Sequence, residues 1–395
     1  MSLRTSRAAA VALVTFATFT DIVAYSIAVP VLPDMSRRLG ASPTMIGLLF
    51  SSFGVTVLGV SVPMGAVSDR IGRKPPLVGG LIALSASTVL FAFAERLPGL
   101  FAARLVQGAA DAVTWVVGFA LLADLYKPAE RGRVMGLVMA GTTFGCMIGP
   151  TLGGWLYETG GMRVPFLSVA ALALVAAVGF MWLKIPPTHA DHETVPIRAM
   201  LRVPAVAACA AAVVVGGGTI AMFEPMLSLF LASTIHLGPA RVGLVFGSGA
   251  VASALVHPLA GRLADRWGSR RLTMSGLVAM ACMLPALGQI WSFESAVVFS
   301  VLNAAAVAIV VTPSLAYMAE ATSAAGAGSF GVAYGLYNFA WAMGLLVGPA
   351  AGGFLYERLG FERLVLAWAP LAIAITVLIL LAERRSPRTR NHPKP

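Results

Sequence analysis

Apolar stretches close to twenty residues long recur from one end of this chain to the other, and few folds can absorb them. They fall at roughly 8–33, 44–66, 76–94, 98–123, 132–156, 163–184, 203–233, 240–263, 272–291, 293–319, 328–356 and 361–382. A helix needs about 20 predominantly apolar residues to cross a bilayer, where every backbone N–H and C=O has to be bonded within the segment. The pattern predicts an all-α membrane protein of twelve transmembrane helices. Composition agrees: of 395 residues 58% are hydrophobic and 11% charged, against roughly 25% charged in a soluble domain. The first stretch is too long for a signal peptide, carries Asp21 and lacks a small-residue cleavage pattern, so it reads as a retained span. Cys146, Cys209 and Cys282 fall inside spans without ligand spacing and read as packing residues, with no metal site and no cofactor implied.

The net charge of +11 is distributed in a way that excludes nucleic acid as the partner. Basic residues gather in alternate loops: Arg70, Arg73 and Lys74 after the second span, Lys127, Arg131 and Arg133 after the fourth, Arg262, Arg266, Arg270 and Arg271 after the eighth. The positive-inside rule then places both termini in the cytoplasm of a cell whose cytoplasmic (inner) membrane holds the chain.

The chain also repeats itself. GAVSDRIGRK at 65–74 is echoed by GRLADRWGSRR at 261–271, and IGLLFSS at 46 by VGLVFGS at 242. GCMIGPTLGGWLYE at 145–158 is echoed by GLLVGPAAGGFLYE at 344–357. The expected organisation is an N-terminal six-helix bundle over 1–184, a polar cytoplasmic linker over 185–202, and a C-terminal six-helix bundle with a short basic tail over 203–395. Duplicated halves with a site between them at the membrane midplane are the architecture of alternating-access transporters. Gly145, Gly149 and Gly153 share a face, as do Gly344, Gly348 and Gly352, with Pro150 and Pro349 among them. They are expected to form tight seams that stop leak while the halves rock.

Three motifs carry a resemblance: Gly65, Asp69, Arg70, Arg73 and Lys74 after the second span; Arg104, Gln107 and Gly108 in the fourth; and Gly145, Gly149, Pro150, Gly153 and Gly154 in the fifth. In that order they resemble the drug:proton antiporter group of the major facilitator superfamily. DIVAYSIAVPVLP at 21–33, RLVQG, ERGRVMG, FEP at 223–225 and the second GPxxGG phrase resemble vesicular amine transporters and bacterial multidrug efflux relatives. Those relatives carry acids in helices 10 and 11 where this chain has Ala308 and Asn338, and a basic residue in helix 2 where it has Phe53.

An ionised acid near the bilayer centre costs several kcal/mol, so each needs a role or a partner. Asp21 lies midway through the first span with Tyr25 one turn on, and reads as a proton or cation site or as a buried acid bonded to a neighbouring helix. Arg104, Gln107 and Asp111 share a face of the fourth helix; Asp111 is outside the family pattern and could pair with Arg104 or with a cation. The resemblance links Arg104 to proton exchange and Glu224 to substrate or proton binding. Phe230 and Phe246 are candidate walls for an organic cation, and Asn303, Tyr337, Asn338 and Trp341 candidate neutral groups of the cavity, with helix packing as the alternative for each. Asp69, Arg70, Arg73 and Asp124, with Asp265, Arg266 and Glu320 in the repeat, form the conformational switch the resemblance implies.

The reading is a proton-coupled antiporter, monomeric, that exports lipophilic cationic small molecules or drugs by alternating access. Proton-coupled transport of a sugar or organic acid held by Arg104 is the alternative within transport. A non-transporting receptor or scaffold is the alternative class. Without a phosphate-binding loop or a nucleophile and base, an enzyme is not expected.

Overall fold

The structure, a computed structural model, describes residues 3–184, 200–326 and 330–385. Most of the expected linker, 185–199, and the basic tail from 386 lie outside the described residues. Twelve long helices are present among them: α1 Leu3–Ser26, α2 Pro43–Ile71, α3 Lys74–Phe93, α4 Leu97–Leu125, α5 Pro128–Gly160 and α6 Arg163–Trp182, then α7 Pro204–Ser233, α8 Pro239–Trp267, α9 Ser269–Leu287, α10 Phe293–Ala324, α11 Phe330–Leu359 and α12 Phe361–Arg385. A 3-10 turn, Val29–Val31, and a short helix, Leu32–Leu39, prolong α1. Eleven of the spans are long and apolar enough to cross a membrane. The ninth falls short because Ser269, Arg270, Arg271, Thr273 and Ser275 fill its first two turns, and it stops at Leu287, four residues before the expected end of that span.

Local signals set the helix ends. Ser42 caps α2 by accepting from Met45 N, and Ser292 caps α10 by accepting from Ser295 N. Proline stands in the first turn of α2, α4, α7 and α8, where its missing N–H costs nothing. Gly72 and Gly268 end α2 and α8 at φ 87° and 89°, a region in which a Cβ is strained.

The helices pack in a pattern that repeats after six. In the first half α1 packs on α5, α2 on α4 and α3 on α6; in the second, α7 on α11, α8 on α10 and α9 on α12. Between the halves α2 meets α11 and α5 meets α8, again a pair related by six. Loops after even-numbered helices in the first half and after α8 lie on the face that carries Arg70, Arg73 and Arg266, here called the basic face; α2 and α8 begin on the far face.

The glycines of α5 and α11 lie against the first helix of their own half. A Cβ on Gly145 would come 3.1 Å from the Phe19 carbonyl, on Gly149 it would strike Ser26, and on Gly153 it would come 3.1 Å from the Cα of Ile27, all on α1 of the same half. Gly344 and Gly348 press in the same way on Gly218 of α7, and Gly352 on Met222. These seams hold each half together. The contact between halves uses the next position along: Gly154 meets Pro239 and Ala240 of α8, and Gly353 meets Pro43 and Gly47 of α2. One residue is a rotation of about 100° on a helix, so the GG pair turns one glycine to its own half and one to the other.

Around these contacts the far face is closed. Gly243 abuts Pro150 and Thr151, Gly54 abuts Leu345 and Leu346, and Ser228 Oγ donates to Val29 O at 2.6 Å. Glu158 at the end of α5 accepts from Ala240 N at the start of α8, 2.9 Å, and Glu357 at the end of α11 accepts from Thr44 N at the start of α2, 3.0 Å. Each carboxylate thus sits on the positive end of a helix in the opposite half, where its charge is favoured. Towards the basic face the helices part: a Cβ on Gly59, Gly132, Gly136 or Gly335 would meet nothing within 4 Å.

Two predictions separate these contacts. Gly149→Leu is expected to lower stability by about 1–3 kcal/mol through overpacking of α1 on α5, whereas Gly154→Leu is expected to keep the half intact and widen the far face. Denaturation curves and spin-label distances between positions 159 and 241 read the two effects; a Gly154→Leu protein with an unchanged far-face distance rejects the division of roles. Glu158→Gln combined with Glu357→Gln is expected to shift the distance distribution several-fold towards a far-open form. Identical distributions in the double variant and the parent would show that the two caps do not hold that face.

Candidate functional site

The acids and the arginine expected from sequence converge near the middle of the bundle, between the halves. Asp21 is 2% exposed on α1. Its Oδ2 accepts from Trp115 Nε1 of α4 at 3.0 Å, and its carboxyl is hydrogen-bonded to that of Asp111, one turn from Trp115. A carboxyl–carboxyl hydrogen bond contains a proton, because two like charges in contact do not both persist. Asp111 therefore pairs with Asp21, and no ion pair joins it to Arg104 among the described residues. Trp115 carries no charge and sits in an apolar run, so sequence reasoning missed it; its spacing of four from Asp111 is the one signal that could have found it.

On the far side of this pair, Arg104 is 0% exposed. Its Nη1 donates to Gln107 Oε1 at 2.9 Å, and its guanidinium lies 4.2 Å from the Phe50 ring centroid, 5.3 Å from that of Phe91 and 5.4 Å from that of Tyr25. Tyr25 hydrogen-bonds to Glu224 of α7, the acid contributed by the second half. Phe53 packs on Tyr25, centroids 5.1 Å apart, and lies in a small apolar cluster with Val57 and Ala342 that crosses between the halves. A ring therefore occupies the place where the resembled relatives carry a base.

Below the acids, Trp115 stacks on Phe119 at 5.6 Å and Phe119 on Tyr334 of α11 at 5.0 Å. This ladder joins the halves across the side that is otherwise parting. Tyr337 stacks on Trp341 at 6.2 Å and receives a bond from Ser314 Oγ at 3.4 Å. The Oδ1 of Asn303 on α10 is buried with no hydrogen-bond partner. Phe230 stacks on Phe361 at 4.4 Å and is 4% exposed, and Phe246 is half-buried beside the same apolar cluster. Phe230 thus takes the packing role that was the alternative to a cavity wall, because α12 supplies Phe361 as its ring partner, and Phe246 packs on a cluster drawn from both halves.

The basic-face cluster is built on Arg73. Its Nε donates to Asp124 Oδ2 at 2.8 Å, with both side chains buried, and its Nη1 reaches Asp69 Oδ1 at 2.5 Å and Ser68 Oγ at 2.6 Å. Lys74 Nζ donates to the carbonyls of Met181 and Leu183 at the end of α6, completing that helix. These bonds stay within the first half. Arg70, Asp265 and Arg266 are exposed. The repeat places Ser269 where the first half has Arg73, and its Oγ donates to Glu320 Oε2 at 2.6 Å. The second cluster thus contains a hydroxyl–carboxylate bond at the position of the Arg73–Asp124 contact.

Known proteins share both this sequence and this fold. A family model described as Major Facilitator Superfamily matches residues 14–223 and 209–395. The human vesicular acetylcholine transporter is 31% identical over 362 residues, covering 87% of this chain and 68% of its own. The human MFS-type transporter SLC18B1 is 28% identical over 396 residues, covering 94% and 86%. The rat synaptic vesicular amine transporter is 27% identical over 350 residues, covering 86% and 68%. Among solved structures, an inward-facing, occupied bacterial homolog of the human lysosomal transporter Spinster superposes with a TM-score of 0.84 at 16% identity, over 97% of this chain and 98% of that one. The human organic anion transporter MFSD10 does so at 0.69 and 18%, over 94% and 99%. The relatives are transporters, not enzymes, and they place this multi-pass integral membrane protein in the major facilitator superfamily, as a relative of the vesicular amine and acetylcholine transporters.

Proposed function

We propose that the chain is a proton-coupled antiporter that exports lipophilic organic cations or drugs by alternating access. The observation that carries this is the Asp21–Asp111 carboxyl pair, Asp21 buried and Asp111 half-buried, with Glu224 close by on Tyr25 and, among the described residues, no basic side chain in an ion pair with either aspartate. A pair that shares a proton offers a negative site to an ammonium group once that proton leaves. Binding of the cation on one side expels a proton, and reprotonation from the other side expels the cation. The tryptophan and tyrosine rings around the acids provide faces for the cation.

The names of the relatives support an amine or a quaternary ammonium as cargo. An organic anion held by Arg104 fits less well, because the guanidinium is fully buried beneath three aromatic rings. The basic loops support insertion in a cytoplasmic membrane with the basic face in the cytoplasm, and the repeated halves, which build the central site within one chain, support a working monomer.

Asp21→Asn and Glu224→Gln are each expected to cut proton-driven transport at least tenfold while the protein stays folded, since each keeps size and hydrogen bonding but loses the exchangeable proton. Asp111→Asn is expected to act in the same direction. Uptake of a labelled organic cation into proteoliposomes with an acidic interior measures this, and parental rates in the Asp21 and Glu224 variants would remove the coupling assignment.

The Arg73 cluster is proposed to set the balance between states. Asp69 is 37% exposed, so its contact with Arg73 contributes about 0.5–1 kcal/mol after screening, a change of roughly two- to fivefold in a balanced population. Asp69→Asn is expected to weaken closure of the basic face by that factor. Labels on the basic-face ends of α4 and α10 report the gap, and an unaltered distribution together with slow transport would show that Asp69 acts by another route.

A further inference from the structure

The protein around Arg104 answers only part of its buried guanidinium. Nη1 donates to Gln107 Oε1 at 2.9 Å, whereas Nε and Nη2 are buried and donate to no acceptor. These two nitrogens form one edge of the planar fork, so their N–H bonds run side by side and can converge on a single oxygen. Buried donors of this kind are ordinarily satisfied. No carboxylate lies within 4 Å of the guanidinium among the described residues, and the rings of Phe50, Phe91 and Tyr25 that lie against it accept no bond from that edge.

Arg104 borders a cavity of about 10 Å³ between α1, α3, α4 and α6. Ser87 and Thr88 of α3 line it, and Phe91, Phe166 and two alanines of α1 confine it. The hydrogens of both hydroxyls are already spent: Ser87 Oγ donates to Leu84 O at 2.8 Å, and Thr88 Oγ1 donates to the same carbonyl at 2.7 Å. Both oxygens keep their lone pairs, so the cavity meets two unused donors and two unused acceptors. A polar cavity of this size has room for one water and nothing larger. One water also completes the bonding, because its oxygen accepts from Nε and Nη2 while its two hydrogens go to Ser87 Oγ and Thr88 Oγ1.

We propose that Ser87 and Thr88 position Arg104 through one buried water, held by Nε and Nη2 of the guanidinium and by the two hydroxyl oxygens. The water fixes the free edge of the arginine towards α3. Glu224 of α7 then feels the arginine through space without being bonded to it, and its carboxyl stays available to a proton or a cation. That last step rests on the antiporter reading; the water site does not.

The test uses the full-length protein. An experimental structure at a resolution that shows ordered waters is expected to place one within hydrogen-bond distance of Arg104 Nε and Thr88 Oγ1, and Ser87→Ala combined with Thr88→Val is expected to lose it. In proteoliposomes the same double variant is expected to raise the KM for radiolabelled tetraethylammonium about tenfold with kcat changed less than about twofold, because the released edge turns to Glu224 and competes with the cation. Lost packing alone would lower kcat and the yield of folded protein instead. Thr88→Ser keeps the hydroxyl and is expected to keep the parental KM. Should the double variant fail to fold, Thr88→Val alone is expected to move KM in the same direction. A dry cavity in the parent, a side chain turned into it, a parental KM in the variants without hydroxyls, or a Thr88→Ser protein that behaves like Thr88→Val would each overturn the proposal. A parent that moves no cation sinks the antiporter reading, and the presence or absence of the water then decides the site by itself.

Discussion

The hydrocarbon interior accepts no unbonded backbone, and it offers no hydrophobic gain for pressing one apolar helix on another. Close approach has to come from shape, and here it comes from helices that place glycine under a neighbour's backbone. α5 and α11 do this on two faces at once. One face, at four-residue spacing, fastens each to the first helix of its own half, and the adjacent face meets the opposite half. The same two helices therefore make both the permanent seams and the reversible one. The acids that close the repeated phrase, Glu158 and Glu357, fall at the tip of these helices and cap the opposite half on the far side.

Charge placed inside such a bundle has to be answered locally, and the first half does so in three ways. The Asp21 and Asp111 carboxyls lie against each other, Arg73 is matched by Asp124 and Asp69, and Arg104 is surrounded by rings. The Arg73–Asp124 pair, with both side chains buried, costs about 3–5 kcal/mol to break by removing one member, so it braces the half.

Much of this was legible in the sequence because the bilayer narrows the choices. Helix number, the duplicated halves and the intramembrane acids follow from apolar length, offset repeats and the cost of charge in hydrocarbon. Which face of a helix meets which neighbour was less legible. Spacing put Gly149 and Gly153 on one side of α5, but it does not say whether that side looks at α1 or at α8. Phe230 was left between cavity wall and packing for the same reason: its ring partner, Phe361, lies more than a hundred residues away. Trp115 and Phe119 passed as ordinary apolar residues, although the bond to Asp21 and the stack on Tyr334 put them next to the central acids.

The duplication also shows where symmetry has been given up. Contacts that shape the bundle survive in both halves, down to the two capping glutamates. Charge is repeated only in part: Asp69, Arg70 and Asp124 return as Asp265, Arg266 and Glu320, but Ser269 stands where the first half has Arg73, and Gly217 where it has Asp21. Duplication therefore holds the shape of the bundle in common, while the central acids come unequally from the two halves: Asp21 and Asp111 from the first, Glu224 from the second.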